Sequence, residues 1–166
     1  MHIQYMVLEA PPGPLFVAES RQGLIFISFT QNGLPGLVKY TERWWPGAQI
    51  IPSVVDSQRQ LEDYLKGRLK QFNVPLDLRG TDFQLEVWGR LRNIPFGRTT
   101  TYGRIARDLG RPAAARAVGA ACGANPVPIV IPCHRVLGAD GSLTGFGGGT
   151  RWKEWLLEHE GAGFRK

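Results

Sequence analysis

Cys133 lies in the hexapeptide Ile131-Pro132-Cys133-His134-Arg135-Val136, the stretch of this chain best equipped for chemistry. A thiolate is a strong nucleophile, but an unassisted cysteine is mostly protonated near neutral pH. His134 and Arg135 stand beside it as groups able to make it more acidic. Pro132 fixes its own φ and keeps Ile131 extended, so the pattern predicts a thiol presented from a stiff turn. A buried, inert cysteine beside incidental polar residues is the competing reading, and a bare Cys-His pair does not exclude it.

The elements that must hold this turn fit one core or two small domains in 166 residues, with 43% hydrophobic and 20% charged residues. That composition is globular rather than disordered. Met1 to Pro14 shows no basic segment followed by an apolar run, and no apolar stretch approaches the roughly 20 residues that span a bilayer. No secretion signal and no membrane partner are expected. Two cysteines, Cys122 and Cys133, and three histidines make neither a disulfide framework nor a good zinc set. A reducing, cytoplasmic setting fits; a Cys122–Cys133 disulfide is the alternative.

The net charge of +6 is unevenly placed. Residues 1–80 carry eight Lys/Arg against seven Asp/Glu, whereas residues 81–166 carry twelve against seven. Seven arginines and a single acid, Asp108, fall between Arg90 and Arg116. Such a block is often only a solvated face, yet its position near the cysteine motif makes a polyanion partner plausible.

Strand-like runs occupy 3–8, 15–20 and 23–29, separated by Pro/Gly and Gln22-Gly23 turn signals. A helix is predicted over 56–67, and 73–80 reads as an extended linker. The pattern therefore predicts an α/β (α+β) chain, with a strand-rich N-terminal domain over 1–79 and a mainly helical domain over 80–166. Thr81 and Gln84 fit a capping box, followed by Phe83, Val87 and Leu91 on one apolar face. A second short helix carries Tyr102, Ile105, Ala106 and Leu109. Gly110 ends it and Pro112 opens a third helix over 112–123, which together make a helix-turn-helix candidate.

That third helix has an unusual outer face. At 100° per residue Ala114, Val118 and Ala121 form the core stripe, while Arg116, Gly119, Ala120 and Gly123 lie opposite. Solvent faces normally carry long polar side chains, and each helical glycine costs about 1 kcal/mol relative to alanine. Either the helix is buried on both sides, or it is a smooth ridge that approaches another surface closely, with Arg116 as its only long projection.

One family carries these pieces in order. Gly80-Thr81, Phe83-Gln84, Val87-Trp88, Ile94-Pro95, Thr101-Tyr102-Gly103, Arg116-Ala117-Val118-Gly119, Asn125-Pro126, Pro132-Cys133-His134-Arg135-Val136, Gly145-Phe146 and Trp155-Leu156-Leu157-Glu158-His159-Glu160 resemble the O6-alkylguanine-DNA alkyltransferases. The match is strong over about 80–161, and the strand-rich part looks like the family's variable first domain. The resemblance implies single-turnover repair of duplex DNA bearing O6-alkylguanine. A helix-turn-helix would enter the minor groove, the damaged base would be flipped out, and the alkyl group would pass to Cys133. Flipping exposes an atom hidden in the stack, and a mispaired base flips more readily. A small-residue helix suits sequence-independent contact. The resemblance leaves open O4-alkylthymine as a second substrate and cooperative loading of a protein expected as a monomer.

Residue roles follow from the same resemblance. Cys133 is the acceptor, His134 the base acting through a water, and Glu160 the carboxylate that orients it. Asn125 braces the turn before the active site, and Tyr102 donates to guanine N3. Arg116 fills the space left by the flipped base. Ala117, Gly119, Ala120, Cys122, Thr101 and Arg104 complete the DNA face. Pro128, Val136, Phe146, Gly147 and Gly148 line the base pocket, with backbone groups near Val136 and Gly147 reading the guanine edge. Phe146, Gly147 and Thr150 depart from the commoner residues of the family, and Cys122 stands where some members carry a bulkier wedge. The N-terminal part lacks the zinc-binding cysteines and histidines of some members, so neither metal nor cofactor is expected. A non-catalytic sensor, a thiol hydrolase and a plain DNA-binding module remain the other classes.

Overall fold

The three apolar runs near the start of the chain become strands β1 (His2–Leu8), β2 (Leu15–Ser20) and β3 (Gly23–Ser28) in the computed structural model. It describes every residue except Gln31, Gly145, Gly147 and Gly148. Two elements follow that the sequence pattern does not announce, helix α1 (Leu34–Trp44) and strand β4 (Gln49–Pro52). β1 pairs antiparallel with β2 and parallel with β4, giving a sheet ordered β3-β2-β1-β4. Pro35 and Gly36 disguise α1, although proline is tolerated in a first helical turn. Its packing decides: Leu37 joins Ile3, Phe16, Ala18, Ile25 and Trp45 in one core.

Helix α2 (Gln58–Leu65) lies inside the expected 56–67 span and buries Leu61, Tyr64 and Leu65. Its leading N–H groups are satisfied from β2: buried Glu19 accepts from Asp56 N at 3.1 Å and Ser57 N at 2.7 Å. The segment after it is not a free linker. Leu24 N donates to Pro75 O, Asp77 N donates to Leu24 O, and Ser20 Oγ donates to Asp77 at 2.6 Å, so residues 75–77 are strapped along β3. Regularly spaced backbone bonds, invisible in a Pro- and Asn-containing stretch, account for the difference. The first compact unit runs Met1–Arg79 and the second Gly80–Lys166.

The second unit opens with the expected capping box: Gln84 N donates to Thr81 Oγ1, and Thr81 N donates to Gln84 Oε1. Helix α3 (Asp82–Leu91) buries Val87, Trp88 and Leu91. Strand β5 (Thr100–Thr101) leads into α4 (Tyr102–Asp108), and α5 (Ala115–Gly123) packs against both α3 and α4. The third helix starts at Ala115 rather than at Pro112. Ala114 N donates to Arg111 O, so Pro112 occupies a turn, where its fixed φ serves equally well. A 3-10 helix, Cys133–Arg135, then runs into β6 (Val136–Leu137), and α6 (Gly149–His159) follows. β5 and β6 pair in parallel, Thr100 with Val136 and Thr101 with Leu137. That short ladder fixes the start of α4 beside the cysteine turn.

Trp88 joins α3 to α5. Its ring is buried, and its indole Nε1 donates to Ala121 O at 2.9 Å. Trp88→Phe removes both ring volume and the donor, and should lower stability by about 2 kcal/mol. Denaturant titration checks this; a loss under about 0.5 kcal/mol would place the link between the two helices elsewhere.

Candidate active site

Ile131, Pro132 and Cys133 form a tight turn in which Cys133 N donates to Ile131 O at 2.8 Å. Pro132 sits at φ −81°, ψ 65°, the centre of an inverse γ-turn, so the stiff presentation expected from its ring is what the backbone adopts. Asn125 braces the approach. Its Nδ2 donates to Ile131 O at 2.8 Å, and its Oδ1 accepts from Val127 N at 3.0 Å. Between them Ile129 has φ +77°, a left-handed conformation that a β-branched residue adopts only under constraint.

His134 is completely buried, and its Nε2 lies 2.9 Å from Glu160 Oε2. An ionised carboxylate only accepts, so Nε2 carries the hydrogen and Nδ1 the lone pair. Nδ1 is buried and has no hydrogen-bond partner among the described residues. Burial lowers the His134 pKa, against the pull of Glu160, and the ring is neutral near pH 7. A neutral imidazole with one nitrogen anchored and the other free is poised to accept a proton.

Arg135 does not face the thiol. Its Nε and Nη2 donate to the two oxygens of Glu160 at 2.8 Å each, and Nη1 donates to Ile94 O at 2.6 Å. The expectation that Arg135 acidifies Cys133 is therefore corrected: the bidentate carboxylate is the better partner for a guanidinium. The turn after α3 completes this cluster. Gly97 N donates weakly to Glu160 Oε1 at 3.4 Å; at φ +78° a Cβ there would stand 3.0 Å from Glu160 O, so glycine is required.

Cys133 is a free thiol, 7% exposed. Burial pushes its pKa up, while a hydrogen bond with Asn125 and the charge of Lys153 pull it down. His134 lends it no acidifying charge, being neutral. Cys122 is also free and 8% exposed, and burial followed by the neighbouring Cys133 pushes it up to about 12. It lies on the inner side of α5, because the helix turns Val118, Ala121 and Cys122 toward the interior.

Thr144 Oγ1 donates to the Tyr102 hydroxyl at 3.0 Å, which leaves the phenol's own hydrogen for a further partner. Burial raises the Tyr102 pKa, so it stays protonated. Pro128 and Val136 are buried near the turn, Phe146 is half-buried, and Gly147 and Gly148 lie outside the described residues. On α5, Arg116, Ala117 and Ala120 are exposed, as is Arg104 on α4. Arg104 pairs with Asp108 at 3.1 Å, and Arg116 has no partner among the described residues. Thr101 caps α4, its Oγ1 accepting from Arg104 N. Gly119 is half-buried, with the place of its missing Cβ 3.8 Å from the Tyr102 ring. Sequence reasoning missed Lys153, whose burial is signalled only by its helical register with Leu156 and Leu157.

Comparison with known proteins matches both units. Residues 82–162 match the 6-O-methylguanine DNA methyltransferase DNA binding domain, and residues 3–78 match its ribonuclease-like domain. A methylated-DNA–protein-cysteine methyltransferase of Methanosarcina acetivorans is 42% identical over 158 residues, 95% of this chain and 98% of that protein. One from Mycobacterium tuberculosis is 45% identical, covering 95% of this chain and 92% of that protein. The crystal structure of M. tuberculosis OGT in complex with DNA superposes with a TM-score of 0.81 at 42% identity, covering 97% of this chain and 93% of that chain.

The neutral state of His134 predicts a pH dependence. The unfolded chain takes up this proton near pH 6.5, whereas burial depresses the folded value. Stability is thus lost as pH falls below the unfolded value, until the folded imidazole also protonates, by at most about 1.4 kcal/mol per pH unit. Thermal unfolding at about pH 7.5 and about pH 5.5 should show a larger acid loss in the native protein than in His134→Gln. Equal losses would mean that folding leaves the titration of His134 unmoved.

Proposed function

The chain belongs to the 6-O-methylguanine DNA methyltransferase family, and on that premise we propose that Cys133 is its alkyl acceptor and His134 its base. The protein is a methylated-DNA–protein-cysteine methyltransferase, a DNA-binding repair enzyme that transfers the alkyl group directly from DNA to protein. One observation carries the assignment of roles: beside the free, turn-held thiol of Cys133 stands an imidazole with Nε2 fixed by Glu160 and Nδ1 unpartnered.

The chemistry follows from that arrangement. His134 Nδ1 takes the thiol proton through a water, and Glu160 stabilises the imidazolium as it forms. Cys133 Sγ then attacks the methyl carbon of O6-methylguanine. The S–C bond forms, the C–O6 bond breaks, and its electron pair returns to the purine. Tyr102, kept protonated, donates to the ring as negative charge develops there. The net products are a thioether and guanine, the purine anion taking up one proton in place of the one that the thiol lost to His134.

DNA enters from the α4–α5 side. Arg104, Arg107 and Arg116 are exposed cations of these helices, and the exposed small residues Ala117 and Ala120 on α5 permit close approach to a groove floor. Minor-groove entry, extrusion of the damaged base and Arg116 in the vacated stack fit this surface. The protein acts as a monomer in the cytoplasm, on one lesion per molecule, because a thioether has no good leaving group.

Intact-protein mass spectrometry after incubation with an O6-methylguanine duplex should show one added methyl group, mapped to Cys133 and absent in Cys133→Ala. Transfer to Cys122, or repair of several lesions per chain, would overturn the assignment. Arg116→Ala should slow repair in duplex DNA by at least about tenfold, about 1.4 kcal/mol in the barrier, while sparing reaction with free O6-benzylguanine, which needs no flipping. Equal losses on both substrates would make Arg116 a residue of the fold.

A further inference from the structure

α6 places Lys153 with 0% exposure beside the cysteine turn, in a role that the proton path does not explain. Its ammonium donates to Val136 O at 2.6 Å and Thr144 O at 3.4 Å, and it stands 5.9 Å from the centre of the Tyr102 ring. Both carbonyls belong to the neighbourhood of the candidate site: Val136 follows the 3-10 helix, and Thr144 donates to the Tyr102 hydroxyl.

Two carbonyl dipoles do not neutralise a buried ammonium. Among the described residues no carboxylate bonds to Lys153, and the buried acid of this unit, Glu160, is engaged by Arg135 and His134. A buried charge without a counter-charge is strongly unfavourable, so such a lysine either sheds its proton or meets an anion. The titratable groups facing it are Cys133 and His134 from the 3-10 helix, Cys122 from α5 and Tyr102 from α4. His134 brings no negative charge, Tyr102 stays protonated, and Cys122 ionises only at about 12. Cys133 is the remaining source of an anion. Burial lowers the lysine's pKa and raises the thiol's; against that, a thiolate raises the lysine's pKa and a charged Lys153 lowers the thiol's.

We propose that Lys153 is a positioning residue whose buried ammonium, held by the Val136 and Thr144 carbonyls, is the counter-ion of the Cys133 thiolate. The inference rests on Cys133 being the acceptor. His134 receives the proton, and Lys153 faces the charge left on sulfur. After transfer the sulfur is a neutral thioether, and the ammonium has lost its anion.

The test is the pH profile of Cys133 alkylation by iodoacetamide, resolved by peptide mass spectrometry. Lys153→Met should move the acid limb upward by about one pH unit, so that Cys133 reacts roughly tenfold more slowly near neutrality but recovers at high pH. Lys153→Arg, which keeps the charge, should leave the limb where it is. A Met profile lowered evenly at every pH, with its midpoint unmoved, would reduce Lys153 to a structural role and overturn the proposal. Should Lys153→Met not fold, the native protein provides the second measurement. The side-chain nitrogen resonance of Lys153 should titrate at lower pH once Cys133 has been methylated by an O6-methylguanine duplex, and an unchanged titration would overturn the proposal equally. If Cys133 takes up no methyl group, the acceptor assignment itself has failed; uptake with an unmoved lysine fails only the counter-ion.

Discussion

The carboxylate of Glu160 is the interaction on which the rest of the site depends. It is buried at the end of α6, where an ionised group survives only if its charge and lone pairs are answered. Arg135 answers the charge with two bonds of 2.8 Å, His134 takes a further lone pair at 2.9 Å, and Gly97 adds a backbone donor. Because the guanidinium already balances the carboxylate, the imidazole need not be protonated to do so. The neutrality of His134, and hence its lone pair at Nδ1, follows first from its burial, and Arg135 beside it adds to that effect. The same carboxylate gathers three separate pieces of chain: the 3-10 helix, the turn after α3 and the end of α6. A change there would alter geometry and protonation together.

A second constraint acts on the thiol from the other side. Ile129 is held at φ +77°, a conformation that costs about 1–3 kcal/mol for a residue of its kind. It persists because Asn125 ties Val127 N and Ile131 O on either side of it, while Pro128 bridges to Ile131. Ile131 O also accepts from Cys133 N. Asn125, the strained turn and the cysteine therefore share one carbonyl as a pivot, and a shift in any of them is passed to the sulfur. Strain at this point is the counterpart of a thiol whose direction is tightly set.

What could be read from the sequence was what local chemistry determines. The Thr81/Gln84 box, the Pro132 turn and the apolar stripe through Val118 and Ala121 are short-range patterns, and the structure contains each of them. Helix α1 escaped because Pro35 and Gly36 argue against a helix that the burial of Leu37 then imposes. Arg135 was misdirected for a different reason. Adjacency to Cys133 suggests a partner, but in a 3-10 turn neighbouring side chains diverge, and Arg135 finds an acid 25 positions away. Lys153 was missed, since its register with Leu156 and Leu157 is a faint sign that a lysine on an amphipathic helix will be enclosed. Long-range pairing of charge is the part of a site that a linear pattern conceals.

The two cysteines show how far neighbouring groups can separate thiols of similar burial. Both are free thiols exposed by less than a tenth; Cys122 feels Cys133 and Lys153, and Cys133 feels Lys153. Cys122 has no hydrogen-bonding neighbour among the influences that lower its pKa, and it remains a small apolar side chain of α5. Cys133 has Asn125 as well as Lys153, with the His134 imidazole next in sequence. Selectivity for one sulfur thus comes from its fittings rather than from its exposure. Gly119 lies on the face of α5 opposite its core stripe and reads in the sequence as room for an outside partner. Its position also borders the Tyr102 ring, where an added Cβ would stand in ordinary contact at 3.8 Å. One position thus looks both to the groove that the helix is proposed to enter and to the phenol that would meet the base.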